Sequence, residues 1–130
     1  MKNLLNTLFE LSNSKLQKNP TKYHRFLYHK LLAGNSKFNG IYGSRGVGKT
    51  TLLLQVAKSL RLKSDEILYI SCDHPIIAGI SIFELVQEFV KYGGRCILID
   101  EVHEATNFEQ ELKSIYDFLD VKVFFPDQAR

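Results

Sequence analysis

The chain has 130 residues, 45% of them hydrophobic, and a formal charge of +3 at pH 7. That length supports one globular domain with a buried core and excludes a motor built from two full ATPase lobes. No run approaches eighteen apolar residues, so no membrane span is expected, and Asn3, Asn6 and Glu10 interrupt the apolar start as no secretory leader would. The charge is unevenly spread: residues 1–65 carry 12 Lys and Arg against 2 Asp and Glu, and residues 66–130 carry 5 against 12. A basic first half suits phosphate or nucleic acid, and an acidic second half suits metal and solvent; two solvated faces of opposite sign would look the same. Cys72 and Cys96 lack metal-ligand or C-x-x-C spacing and are expected to be reduced core thiols of a cytoplasmic protein.

Residues 3–16 place Leu4, Leu5, Leu8 and Leu11 on one face of a first helix. After the Asn19-Pro20 break, Tyr23, Phe26, Leu27 and Leu31 give a second helix ending at Gly34-Asn35. Both helices carry basic residues on their other faces; packing helices with solvated basic faces are commoner than a nucleic-acid surface. Residues 37–42 read as a short strand, which feeds Gly43-Ser44-Arg45-Gly46-Val47-Gly48-Lys49-Thr50. This stretch fits G-x-x-x-x-G-K-[ST], the phosphate-binding loop. Its glycines let consecutive backbone N–H groups point at phosphate oxygens. Lys49 can reach the β and γ phosphates, and the Thr50 hydroxyl can join the shell of Mg²⁺. Thr51 and the apolar residues after it open a helix, whose positive end adds to the site.

Glu66–Cys72 reads as a nearly continuous apolar strand, closed by Asp73-His74-Pro75, where loop chemistry is favoured over a site role. Ser81-Ile82-Phe83-Glu84 matches a capping box for a helix that Gly93-Gly94 stops. Cys96-Ile97-Leu98-Ile99-Asp100-Glu101 is an apolar run ending in two carboxylates, 51 residues after Lys49 for Asp100. A buried strand delivers Asp100 beside the phosphate loop to hold Mg²⁺, and alternation along the strand turns Glu101 toward an attacking water. Thr106-Asn107-Phe108-Glu109 matches a second capping box, for a helix to about Leu119 with Leu112, Ile115, Tyr116 and Leu119 facing inward. Residues 121–125 form a last strand. Strands alternating with helices predict an α/β domain on a parallel sheet, with residues 1–35 as a helical segment packed on a core of residues 36–130.

These residues resemble the AAA+-type P-loop ATPases, in particular the AAA_14 kind of bacteria and archaea. The likeness lies in Gly43–Thr51 and in Leu98-Ile99-Asp100-Glu101-Val102-His103 running into Asn107-Phe108-Glu109-Gln110-Glu111-Leu112-Lys113, and covers about residues 20–125. It implies a three-layer P-loop NTPase fold with strand order 2-3-4-1, ATP with Mg²⁺ as cofactors, and Glu101 polarising the hydrolytic water. Where the family carries a small polar sensor run, this chain has Pro126-Asp127-Gln128. The fifth strand, lid and arginine finger are absent, so the sequence reads as the N-terminal part of a larger ATPase. It is expected to bind nucleotide more readily than it hydrolyses it, since loss of an arginine finger alone can cost about 10³–10⁵ in rate. An open edge at the first strand and poorly covered Phe124-Phe125 would invite self-association.

Two functions compete: an ATPase core in which Lys49, Thr50, Asp100 and Glu101 bind and cleave MgATP, and a non-catalytic nucleotide-binding or interaction module. A DExH-box helicase reading of Asp100-Glu101-Val102-His103 needs a second lobe, and a GTPase reading needs an N-K-x-D that the chain lacks.

Overall fold

The computed structural model describes residues 2–17, 38–41 and 49–126. The expected second helix and residues 43–48 of the glycine loop lie outside them. The elements in order are α1 (Lys2–Gln17), β1 (Phe38–Ile41), α2 (Lys49–Ser59), β2 (Ile67–Ser71), α3 (Ile82–Lys91), β3 (Cys96–Asp100), a short 3₁₀ turn (Val102–Glu104), α4 (Phe108–Phe118) and β4 (Lys122–Pro126). The strands form one parallel sheet in the order β1-β4-β3-β2, which read from the β2 edge runs 2-3-4-1.

Side chains that alternate along the strands feed two separate apolar clusters, as period-two geometry requires. Leu68, Ile70, Ile97, Ile99 and Val123 meet Leu5 and Leu8 of α1, α3 and Ile115 of α4. On the other face Ile67, Tyr69, Leu98 and Phe124 meet Leu53, Val56 and Ala57 of α2. Helices therefore cover both faces, and β3 in the interior is buried at every residue. Phe124 is only 1% exposed, and the Phe125 ring packs edge-on to Phe108 at 5.7 Å, so the expectation that this pair is poorly covered is wrong. The side of β1 away from β4 carries no strand among the described residues.

Helix α1 differs from its reading in one turn. Leu5 and Leu8 are buried as the spacing predicts, but Leu11 is 41% exposed while Ser12 is fully buried. The cause is tertiary. Helix α1 lies along β2, the edge strand, and Ser12 Oγ accepts the main-chain N–H of Tyr69 at 2.9 Å. An edge strand leaves such donors unpaired, and this hydroxyl satisfies a buried one.

The helix signals divide. Ser81 caps α3 by accepting the Glu84 N–H at 3.3 Å. The helix then stops at Gly93 (φ +99°) and Gly94, where any Cβ would lie 2.5 Å from the buried Phe89 ring. The Thr106 box fails: Asn107 holds the cap position in the left-handed region (φ 56°) with no side-chain cap, and Tyr116 is 59% exposed, its ring edge-on to Phe38.

Candidate functional site

The carboxyl ends of β2 and β3 and the first turn of α2 meet at one cleft of about 340 Å³, whose lining includes Thr50, Tyr69, Asp73, Asp100, Glu101 and Lys15 of α1. The apolar run of β3 carries its terminal Asp100 into the interior, where it is 3% exposed. Among the described residues, three neutral donors hold its carboxylate. Thr50 Oγ1 donates to Oδ2 at 2.6 Å, the Tyr69 hydroxyl donates to Oδ2 at 2.7 Å, and the Glu101 N–H donates to Oδ1 at 2.9 Å. None of the ion pairs among the described residues involves Asp100.

A buried carboxylate without a cation is costly, and hydrogen bonds to its charged form offset only part of that cost. A positive charge placed beside these oxygens would offset that cost. A hydroxyl and a carboxylate oxygen within hydrogen-bond reach are hard donors of the kind Mg²⁺ takes, so the residues present fit that ion.

The Tyr69 phenol is driven well above the usual tyrosine range, first by burial and then by its hydrogen bond to Asp100 and the negative charge there. It stays a donor throughout the working pH range. Cys72, just beyond β2, has its thiol pushed up to about 12 by burial and then by the charge of Asp100; Cys96, at the start of β3, is raised to about 12 by burial. Both are free and buried, so they are core thiols rather than nucleophiles.

Glu101 leaves the strand in the left-handed region, at φ 52° and ψ 45°. It is thus a backbone reversal, rather than strand alternation, that separates its side chain from Asp100. For a non-glycine residue this conformation costs on the order of 1–3 kcal/mol, and such outliers cluster at functional sites. The Glu101 carboxylate is partly exposed, with His103 Nε2 at 3.4 Å from both Glu101 Oε1 and Glu104 Oε2.

The structure brings together Thr50, Asp100 and Glu101, the first two 50 residues apart in sequence. Lys49 and Thr51 stand with Thr50 in the first turn of α2. Asp73 and His74 line the same cleft but serve their own turn: Ser71 donates to Asp73 Oδ1, and the Ile76 N–H donates to His74 Nδ1 at 3.1 Å. Sequence reasoning missed Tyr69, Ser12 and Lys15. A tyrosine among buried apolar strand residues, whose hydroxyl demands a partner, was the available signal.

Two comparisons bear on this geometry. Residues 35–126 match the AAA_14 family of AAA domains. Over 86 residues the chain is 31% identical to the uncharacterized protein MJ1637 of Methanocaldococcus jannaschii, an alignment that covers 59% of this chain and 18% of the relative.

Proposed function

From the premise that the chain belongs to the AAA_14 family of AAA domains, we propose that it binds MgATP in the cleft between α2 and the ends of β2 and β3, and hydrolyses it through Glu101. The observation that carries this reading is the 2.6 Å hydrogen bond between Thr50 and Asp100, which joins the residue after Lys49 to the last residue of the apolar strand.

In this reading residues 36–130 form a P-loop ATPase domain, on which the segment 1–35 packs. The backbone amides of Gly43, Ser44, Arg45, Gly46, Val47 and Gly48 cradle the phosphates, and Lys49 reaches their outer oxygens. Thr50 and Asp100 would hold a Mg²⁺, and Thr51 continues the helix turn whose amides would face the phosphates. A bound Mg²⁺ would supply positive charge beside the phosphate oxygens, and Thr50 and Asp100 are the residues that would hold it there. Glu101 orients and deprotonates the attacking water; its position one residue beyond Asp100, on a reversed backbone, aims it away from the metal ligand. No described helix is long and apolar enough to cross a membrane.

Calorimetry with millimolar MgATP, beside phosphate release, tests the proposal. The parent is expected to bind and release phosphate, and Glu101→Gln to bind as well as the parent with release reduced at least about 100-fold. No binding heat from the parent would falsify the reading. Binding without phosphate release in either chain would leave the non-catalytic nucleotide-binding module instead.

A further inference from the structure

Tyr69 has no role in the nucleotide reading above, yet it is tied at both ends. It stands in the middle of β2, opposite Leu98 of β3, and is 8% exposed. Its main-chain N–H donates to Ser12 Oγ of α1, and its hydroxyl donates to Asp100 Oδ2 at 2.7 Å. The residue thus spans the distance from the N-terminal helix to the carboxylate.

The effect on Asp100 follows from counting acceptors. An ionised carboxylate offers about four lone-pair sites. Two hydroxyl donors, Thr50 and Tyr69, converge on Oδ2, while among the described residues Oδ1 accepts the Glu101 N–H. Two bonds to one oxygen and a third to the other fix both the rotamer and the plane of the group. Of the bonds among the described residues, loss of the Tyr69 hydroxyl would leave those from Thr50 and the Glu101 amide.

We propose that Tyr69 is a positioning residue for the divalent cation at this site: its hydroxyl presets the Asp100 carboxylate, and Ser12 of α1 fixes Tyr69 in turn. The proposal rests on the MgATP reading. Partners that orient a metal ligand without touching the metal typically contribute about 10–100-fold to metal affinity.

The test compares the full chain with Tyr69→Phe, which removes one oxygen and keeps the ring. Fluorescent ATP-analogue binding is measured in EDTA, and Mg²⁺ is then titrated at fixed nucleotide. The expected result is unchanged metal-free affinity and a half-saturating Mg²⁺ concentration raised about 10–100-fold. A purely structural role would move thermal stability and leave that split untouched. Ser12→Ala is expected to shift the Mg²⁺ midpoint in the same direction by a smaller factor, and it decides the matter if Tyr69→Phe fails to fold. An unchanged Mg²⁺ midpoint in a variant of a parent that binds MgATP overturns this proposal alone. A parent that binds no nucleotide in either condition overturns the MgATP reading with it.

Discussion

Two carboxylates in this protein, Asp100 and Glu111, each accept a hydroxyl and a backbone N–H and do opposite things with them. Glu111 of α4 accepts the Ser81 hydroxyl at 2.8 and 3.1 Å and the Phe83 N–H at 2.9 Å. It caps a neighbouring helix: its donors are the cap residue and first-turn amide of α3, and the positive end of that helix complements its charge. Asp100 instead takes two hydroxyls and the amide of its own successor, deep at the end of a strand and facing a cleft. The lesson is that the type of donor, hydroxyl or amide, does not separate a structural carboxylate from a site carboxylate. What separates them is whether the surrounding dipoles already complete the charge.

Several substitutions would break that contrast if it is wrong. The largest effect is expected from Asp100→Asn, which keeps the shape but removes the charge. Mg²⁺-dependent nucleotide binding should fall by about 100-fold or more, beyond the loss from an orienting partner, with a thermal midpoint near that of the parent. Glu111→Ala should do the reverse. Urea denaturation is expected to lose about 1–3 kcal/mol, from an α3 N-terminus left without its partner, while MgATP affinity stays put. A fall in MgATP affinity for this variant would mean the two carboxylates are not independent.

The thiols sharpen the comparison further, because Cys72 feels Asp100 and Cys96 does not. Both thiols are raised from 9.0 to about 12 in the folded chain. The unfolded chain therefore loses these protons first as pH rises. Their contribution is complete below about pH 9 and is lost progressively toward pH 12, so the thermal midpoint should fall across that alkaline window. The smallest expected effect is a selective one. In Asp100→Asn, thiol-reagent labelling of Cys72 should begin at lower pH than in the parent, with Cys96 unmoved. Equal shifts at both would point to general loosening rather than to charge.

Much of this architecture was legible from pattern. The strands around Leu68, Leu98 and Val123 stand within a residue or two of where apolar runs between turn residues place them, and Ser81 and Gly93-Gly94 bound α3 as their chemistry dictates. The meeting of Thr50 and Asp100 follows from a motif pair whose strand and helix settings are both visible in the sequence. Illegible features depended on neighbours distant along the chain. Ser12 looks like a solvent-facing residue of an amphipathic helix until an edge strand offers it a buried amide. Tyr69 looks like one more apolar strand residue until register sets it opposite Leu98, from where its hydroxyl reaches Asp100. Thr106 carries a capping sequence, but the sharp reversal at Asn107 takes the backbone out of the geometry that a cap requires.

The seam between α1 and β2 bears on any attempt to trim this protein. The family match begins at residue 35, so a chain cut to that boundary would discard the helix whose serine seals the outer margin of the sheet. Such a shortened chain would bare a row of main-chain donors and acceptors beside Leu68 and Ile70, a ready template for any passing extended segment. The first seventeen residues also carry Leu5 and Leu8 into the core and Lys15 into the cleft lining, so a chain without them is expected to lose stability and part of that wall.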